Sequence, residues 1–388
     1  MIGEIVDLDV GPIAHGGHCV ARMDGRVVFV RHTLPGERVR ARITEGSANA
    51  RFLRADAIDV LEAAPGRVES RCGYAGPGGC GGCDFQHVDL ATQRVLLGDV
   101  VSEQLRRLAG IERDVTVEPA DDGEGLGWRT RVSWAVDEDG RTGLRKHRSH
   151  DVVPIERCPI AHPDMPEVSA ERWSAERVDT VVSSAGDGVV IAAEEVVRGR
   201  RRARENVHDR QFRVTGAGFW QVHPRAGELL VDAVLAMLDP QPGERIADLY
   251  AGVGLFTRFL AEAVGANGSV VSVESAAGAV RDARRNLHDL PQARIVGDKV
   301  ERALRTGGVG ERDAVVLDPP RTGAKARVVR GITASRAGRV VYVACDPAAL
   351  ARDVATFAEH GYALEDLRAF ALFPMTHHVE CVALLRRT

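Results

Sequence analysis

The stretch VVYVACDP at residues 340–347 decides how the carboxyl-terminal half of this chain folds. Its four apolar residues predict a buried strand, and the Asp-Pro pair predicts where that strand ends. Cys345 follows the strand directly. In an α/β sheet, the carboxyl end of a strand faces the crevice in which ligands bind. A thiol at that place is a candidate nucleophile, and the alternative is that it is a small buried apolar residue.

From about residue 216, strand and helix patterns alternate, which predicts a doubly wound, Rossmann-like α/β domain. Its first strand leads into DLYAGVG at 248–254, and Glu274 ends the second strand. Glycines let a nucleoside cofactor approach the backbone, and the acidic residue accepts from its ribose. The third glycine of a dinucleotide motif is missing, which favours S-adenosylmethionine over NAD. Asp298, after the third strand, would then lie near the adenine; the alternative is a plain loop glycine and a surface glutamate.

Two further strands end in candidate catalytic groups. Asp318 stands in DPPR after the fourth strand, where two prolines fix the backbone. Glu380 interrupts the apolar strand predicted over 378–385. Methylation of carbon 5 of a uracil needs a thiolate that adds at carbon 6, a methyl donor, and a base that removes the carbon-5 proton. Cys345 and Glu380 fit the first and last of these roles; the alternative for Glu380 is an edge-strand carboxylate facing water.

Residues 1–59 predict a small OB-like β-barrel. Alternating or apolar stretches at 4–10, 26–31, 38–43 and 55–60 are separated by glycine turn signals, and arginines are interspersed. This pattern suits a barrel that holds RNA through its phosphates, against the alternative of a basic-faced barrel without a ligand.

A glycine-rich loop, CGYAGPGGCGGC, occupies residues 72–83 and carries Cys72, Cys80 and Cys83. Cys158, followed by proline, is the remote fourth candidate. Four thiolates suit either a zinc ion or an iron–sulfur cluster, and a close triad with a distant fourth favours the cluster. Beyond this loop, helical spacing over 88–108 predicts a core helix. A strand-rich module is predicted over 115–214, with two basic runs that favour an RNA-facing surface over a merely solvated one.

Composition excludes a membrane protein and gives no global nucleic-acid signature. The formal net charge of the 388 residues is −4, no apolar run reaches spanning length, and no signal peptide is recognisable. We therefore expect a cytoplasmic protein, monomeric and without an obligate protein partner.

The barrel string HGGHCVARMDGRVVFVRHTLPGERV resembles a TRAM domain. With the cysteine loop, GFWQVHP, DLYAGVGLFT, LDPPRTG, YVACDPAALARD and THHVE, nearly the full length resembles the RNA uracil-5-methyltransferase family, which acts on 23S rRNA or the tRNA T-loop. The resemblance implies Cys345 as nucleophile and Glu380 as proton acceptor. It implies a pocket for S-adenosylmethionine and uracil formed by Gln221, Tyr250, Glu274, Asp298 and Asp318. It also implies a 4Fe–4S cluster held by Cys72, Cys80, Cys83 and Cys158.

The expected domains are a TRAM-like barrel (1–60), a central iron–sulfur and RNA-binding domain (61–88 and 110–215), and a methyltransferase domain (89–109 and 216–388). The expected function is methylation of carbon 5 of a uridine in structured RNA, with 23S rRNA favoured and the tRNA T-loop as the alternative. A cytosine-5 RNA methyltransferase and a non-catalytic RNA-binding protein with a metal loop are the other hypotheses. One departure from the family is Asp346 in place of asparagine; its charge is expected to raise the pKa of the neighbouring thiol, and the alternative is that its side chain points away.

Overall fold

The amino-terminal part of the protein is a closed β-barrel. The computed structural model describes residues 1–47 and 49–388. The barrel strands are β1 (Ile5–Ala14), β2 (His18–Met23), β3 (Arg26–Arg31), β4 (Arg38–Glu45) and β5 (Phe52–Glu62), paired in the order β1-β2-β3-β5-β4. In β4, Val39, Ala41 and Ile43 point into the core while the arginines between them face outward. This period of two is what one buried face requires. The sequence pattern missed β2 as a strand of its own.

A helix links the barrel to the rest of the chain. The elements here are α1 (Leu90–Gln104), a π-helical turn (Leu105–Ala109) and the short strand β6 (Val117–Pro119). Asp89 caps α1 by accepting from the Thr92 backbone N–H at 2.9 Å. Gly110 ends the π-helical turn in the left-handed conformation. The helix predicted over 88–108 is therefore present, and its buried face joins the core of the carboxyl-terminal sheet.

The middle of the chain forms an antiparallel sheet and a separate hairpin. The sheet contains β7 (Arg131–Val136), β8 (Thr142–Arg145), β9 (Val152–Pro154), β10 (Arg177–Val182), β11 (Gly188–Ala192) and β12 (Glu195–Arg198), in the order β12-β11-β10-β7-β8-β9. The hairpin is β13 (Arg202–Val207) and β14 (Arg210–Thr215). Trp128 and Trp134 pack in one core with Cys80 and Cys158, so the cysteine loop belongs to this sheet.

The carboxyl-terminal part is a doubly wound sheet with helices on both faces. Its elements are α2 (Ala226–Leu238), β15 (Arg245–Leu249), α3 (Leu255–Val264), β16 (Ser269–Glu274), α4 (Ala277–Asn286), β17 (Ala293–Gly297), α5 (Val300–Arg305), β18 (Ala314–Leu317), α6 (Lys325–Ala334), β19 (Arg339–Ala344), α7 (Pro347–Ala358), β20 (Tyr362–Ala371) and β21 (Glu380–Arg387). The strand order is β17-β16-β15-β18-β19-β21-β20-β6. Strands β15 to β19 pair in parallel, and β21 enters antiparallel to β19.

This topology gathers the predicted site at one edge. The parallel strands β15 to β19 all point their carboxyl ends the same way. Because β21 runs in the opposite direction, its first residue, Glu380, lies at that same edge. β21 is enclosed between β19 and β20, so Glu380 is not an edge-strand carboxylate facing water; its side chain is 3% exposed.

The packing differs in two places from the expected division of the chain. β6, which lies in the range assigned to the central domain, pairs with β20 at the edge of the carboxyl-terminal sheet. The hairpin β13–β14 also packs there: Phe212 and Val214 share a core with α2 and α3. Asp282 of α4 accepts from both the backbone N–H and the hydroxyl of Thr215, at 2.8 and 2.6 Å. In residues 1–47 and 49–388, the helices are too short or too polar to cross a bilayer.

Candidate active site

Three acidic groups converge where β18 and β19 end and β21 begins. Asp318 follows β18, Cys345 follows β19, and Glu380 begins β21. The pairing of Ala344 with Cys381 sets Cys345 and Glu380 next to each other across two neighbouring strands. The sequence-predicted nucleophile, base and DPPR carboxylate therefore share one small region.

These groups raise one another's pKa. Burial, then the charges of Glu380 and Asp318, raise the pKa of the Cys345 thiol to about 12. Burial and the charge of Asp318 hold the pKa of Glu380 well above its usual range. Burial raises the pKa of Asp318 to about 7, together with the charge of Asp248. Arg321 opposes the shift at both Cys345 and Glu380, because a nearby cation favours the ionised forms.

The carboxylate of Asp346 makes hydrogen bonds within its own helix start and to the barrel. Its side chain caps α7, accepting from the Ala349 backbone N–H at 2.7 Å, and accepts from His15 Nε2 of the barrel at 3.0 Å. The repulsion that raises the pKa of Cys345 comes instead from Glu380 and Asp318. These contacts agree with the alternative that the Asp346 side chain points away from the thiol, because the helix start turns the carboxylate toward the backbone of α7.

The turn after β15 and the end of β16 form the other half of the crevice. Glu274 accepts from the Gly252 backbone N–H at 3.0 Å and from the Ala276 N–H at 2.6 Å. A carboxylate has about four acceptor positions, so it retains capacity for hydroxyl groups of a ligand. Tyr250 sits in this turn with a φ of 63°, a strained value that is common at functional sites. Asp298 follows β17, the next strand outward, and its carboxylate pairs with Arg302 at 3.0 Å.

Asp248, near the end of β15, connects the glycine turn to α3. It is fully buried, and the Thr257 hydroxyl of α3 donates to it at 2.5 Å. Its second carboxylate oxygen has no partner among the described residues. Burial raises the pKa of Asp248 to about 7. This pair joins the glycine turn to the helix that follows it.

Gln221 lies apart from the groups above. It is 9% exposed and lines a cavity with Trp220, His223 and Thr130. Within the described part of the chain, its side chain makes no hydrogen bond to the other predicted site residues. The sequence expectation placed it in the same pocket, and that role stays a prediction.

The loop at 372–379 carries residues that the sequence reasoning did not single out. His378 accepts from Arg321 at 3.3 Å, and burial lowers the pKa of His378 to about 3, which keeps it neutral as an acceptor. His377 Nδ1 donates to Asp84 at 2.6 Å. Met375 has a φ of 68°, and Asp84 and Phe85 both donate backbone N–H bonds to its carbonyl oxygen. The motif THHVE was visible in the sequence, but the partners of its histidines lie far away along the chain.

Comparison with known proteins agrees with this geometry. The TRAM domain family matches residues 1–58, tRNA (Uracil-5-)-methyltransferase matches 310–388, and Protein-L-isoaspartate(D-aspartate) O-methyltransferase matches 225–306. An "Uncharacterized RNA methyltransferase" of Streptomyces avermitilis is 47% identical, covering 99% of this chain and 98% of that protein. The 23S rRNA (uracil(1939)-C(5))-methyltransferase RlmD of Thiobacillus denitrificans is 31% identical, covering 98% of this chain and 99% of that protein.

The chain belongs to the RNA uracil-5-methyltransferase family. It is an S-adenosylmethionine-dependent RNA methyltransferase with an amino-terminal TRAM barrel, which confirms the predicted fold class and enzyme class. The solved structure of the Pyrococcus abyssi tRNA (uracil-54, C5)-methyltransferase in complex with S-adenosyl-L-homocysteine shares this fold. Its TM-score is 0.73 at 22% identity, covering 98% of this chain and 100% of that one.

In this methyltransferase the three cysteines of the glycine-rich loop and the remote Cys158 line one cavity. Cys72, Cys80, Cys83 and Cys158 surround it together with Arg129. Backbone Gly82 N–H points at the Cys80 sulfur at 3.4 Å, and Gln86 Nε2 points at the Cys83 sulfur at 3.6 Å. Such donors favour anionic sulfur, the form in which cysteine binds a metal or a cluster. Within 1–47 and 49–388, no group of three or more His, Cys, Asp or Glu side chains is arranged to hold a single metal ion.

The methyltransferase also has a basic cleft between its barrel and the loop that follows β8. The cleft measures about 590 Å³. Its basic side chains are Arg31, Arg54, Lys146 and Arg148; its acidic ones are Glu45, Asp56 and Asp151. Arg54 lies over the ring of Phe29, with its guanidinium carbon 5.5 Å from the ring centroid. Arg31 Nη2 and Arg54 Nε are buried and have no hydrogen-bond partner among the described residues, but they lie 3.9 Å from an Asp84 and 3.4 Å from a Glu45 carboxylate oxygen.

Proposed function

We propose that this enzyme methylates carbon 5 of a uridine in 23S rRNA through a covalent bond between Cys345 and carbon 6. The observation that carries the proposal is the meeting of Asp318, Cys345 and Glu380 at one sheet edge. The choice of RNA rests on the relative that acts on 23S rRNA, which is similar over nearly all of both chains. A uridine in the tRNA T-loop is the alternative target.

The proposed reaction begins at the thiol. Cys345 loses its proton to solvent, and the sulfur forms a bond to carbon 6, which pushes an electron pair toward carbon 5 and the carbonyl oxygen. S-adenosylmethionine, when bound, supplies the methyl group that carbon 5 accepts. Glu380 then removes the carbon-5 proton, the bond from carbon 6 to sulfur breaks, and the double bond returns. The thiolate leaves unchanged, and Glu380 releases its proton to solvent.

The charges around the site affect the protonation states of the proposed nucleophile and base. A thiol with a pKa of about 12 is almost fully protonated at neutral pH. Arg321 lowers that pKa, and any further cation in the crevice acts in the same direction. The raised pKa of Glu380 suits a base that must accept a proton from carbon near neutral pH.

The cofactor side is assigned to Tyr250, Glu274, Asp298, Asp318 and Gln221. Glu274 is the candidate for the ribose hydroxyls, because its carboxylate lies beside the glycine turn and keeps free acceptor positions. Asp298, one strand further out, is the candidate for the adenine side. Asp318 lies between this half of the crevice and Cys345.

The cysteine cavity is assigned to a structural 4Fe–4S cluster held by Cys72, Cys80, Cys83 and Cys158. Arg129 lines the same cavity, and its positive charge favours the thiolate form of the neighbouring cysteines. Protein purified without oxygen is expected to be brown and to contain four iron atoms per chain by the 4Fe–4S assignment. A colourless protein with one tightly bound zinc would overturn it.

The RNA itself is assigned to the barrel and the basic cleft. The guanidinium groups of Arg31 and Arg54 keep N–H groups without a hydrogen-bond partner among the described residues, which suit phosphate oxygens, and Phe29 offers a ring for base stacking. The target uridine must leave its stack to reach Cys345, which lies at the sheet edge.

The decisive experiment uses RNA in which 5-fluorouridine replaces uridine. Fluorine at carbon 5 cannot leave as a proton, so the methylated adduct should stay attached to the protein through denaturation, and mass spectrometry should locate it on Cys345. Cys345→Ala should give no adduct and no methylation. A non-catalytic RNA-binding protein would release the RNA on denaturation. Normal turnover by Cys345→Ala would refute the covalent route, and methylation of tRNA but not 23S rRNA would select the alternative target.

A further inference from the structure

The two segments that carry Cys345 and Glu380 are both held by parts of the chain outside the carboxyl-terminal sheet. His15, in the barrel turn between β1 and β2, donates to Asp346, the residue after the nucleophile, at 3.0 Å. Asp84, directly after the cysteine loop, accepts from His377 in the loop before Glu380 at 2.6 Å. The barrel turn and Asp84 therefore reach one catalytic segment each.

The barrel turn also packs against the loop that precedes Glu380. Gly17 is buried and has a φ of +77°, and a Cβ built on it would lie 2.7 Å from the His377 Cβ and 3.0 Å from the Asp84 Cβ. Since real Cβ atoms do not approach so closely, the contact requires glycine. Gly17 is thus wedged against both members of the pair between Asp84 and His377.

The loop at 372–379 needs such support because its backbone is strained. Met375 has a φ of 68°, which an L-residue adopts only when its surroundings enforce it. Its carbonyl oxygen accepts from the Asp84 and Phe85 N–H groups at 2.9 and 3.0 Å. Its own N–H donates to Gln93 of α1 at 2.9 Å. The conformation that delivers Glu380 is therefore fixed by contacts from the amino-terminal third of the chain.

We propose that the barrel turn at 15–17 and Asp84 form a catalytic clamp: they are positioning elements that hold the nucleophile and the base in register, in addition to any role of the barrel in RNA binding. The clamp rests on the proposed function, because it assumes that Cys345 and Glu380 act together. A misplacement of about 1 Å at a reacting group can cost about a hundredfold in rate. Loosening the clamp should therefore lower kcat and leave the KM for RNA nearly unchanged.

The test compares Gly17→Ala and His15→Ala with a matched control. Gly25, in the next barrel turn, has nearly the same φ, +79°, but nothing within 4 Å of a built Cβ. Gly25→Ala therefore carries the same backbone strain without the contact. We expect kcat to fall about tenfold to a hundredfold in Gly17→Ala and His15→Ala, and to stay within twofold of wild type in Gly25→Ala. His15→Gln, which keeps a donor for Asp346, should recover most of the rate.

Two further measurements separate the possible outcomes. Hydrogen exchange in 372–379 should be faster in Gly17→Ala than in Gly25→Ala at equal melting temperature, and this readout does not depend on the reaction. If wild-type protein methylates no uridine, the proposed function fails, while the exchange result still tests the clamp. Unchanged kcat, or a loss confined to RNA affinity, would overturn the clamp and leave the turn as an RNA contact.

Discussion

Replacing Glu380 by glutamine should change thiol reactivity and turnover in opposite directions. The pKa of Cys345 is raised from 9.0 to about 12, and the charge of Glu380 is the largest contribution after burial. Three pKa units correspond to about 4 kcal/mol. For each pKa unit by which removal of the Glu380 charge lowers the pKa of the thiol, the thiolate fraction at pH 9 rises about tenfold. Turnover should fall about a hundredfold or more, because the base that removes the carbon-5 proton is gone.

Alkylation by iodoacetamide, followed by mass spectrometry of the peptide that contains Cys345, measures the first effect. Methylation of RNA under saturating conditions measures the second. The glutamine should be tolerated in the fold, because it has nearly the same size and shape as the buried glutamate. Glu359→Gln, at an exposed position after α7, is the matched control and should change neither quantity. Slower or unchanged alkylation of Cys345 in Glu380→Gln would refute the electrostatic coupling, and normal turnover would refute the role of Glu380 as base.

Two other outcomes follow from the charges of the molecule. Burial raises the pKa of Asp248 to about 7, so the folded protein keeps a proton that the unfolded chain loses near pH 4, and this stabilising contribution disappears as the pH rises through 7. Asp248→Asn should therefore gain stability relative to wild type between pH 5 and pH 8, by up to about 3 kcal/mol in urea unfolding; an equal difference at both pH values would contradict this. Arg54→Ala should weaken RNA binding and reduce the salt dependence of log K by about one phosphate contact, whereas the exposed barrel residue Arg22, changed to alanine, should have a smaller effect.

The sheet and the residues at its edge could be predicted, because in parallel strands the residues that follow each strand all lie at the same edge. Each of the strands β15 to β19 is a short apolar run, and a polar residue follows it. In parallel strands those residues must share one edge, so the meeting of Asp318 and Cys345 could be inferred without coordinates. Glu380 was found because a charge inside an apolar run is costly unless it has a function.

Elements with weak or split patterns could not be predicted. β20 contains Glu365, Asp366 and Arg368 and shows no continuous apolar run, although it pairs along the whole of β21. β6 has three residues, too few for a period. β20 forms because it pairs with β21, and β6 forms because it pairs with β20. Such tertiary effects leave no local signal in the sequence.

The contacts between segments that are distant along the chain also could not be predicted from the sequence. His15 and Asp346 are 331 positions apart, and Asp84 and His377 are 293 apart. Arg129 lines the cysteine cavity but belongs to no recognisable motif, and the direction of the Asp346 side chain stayed open because a helix cap depends on how the chain turns after Cys345. Pairings of this kind depend on domain packing, which no period or motif encodes.

The acidic surroundings of Cys345 have a consequence for how the enzyme keeps its proposed nucleophile intact. The thiol is partly exposed, yet its pKa of about 12 leaves almost no thiolate in the free protein. Alkylating agents and oxidants attack the thiolate, so Glu380 and Asp318 protect the sulfur while the crevice is open. The same charges would block catalysis if nothing opposed them. Arg321 is one opposing charge at Cys345 and Glu380, and a bound cationic cofactor would act in the same direction, so we expect the thiol to react faster with alkylating agents when the site is filled.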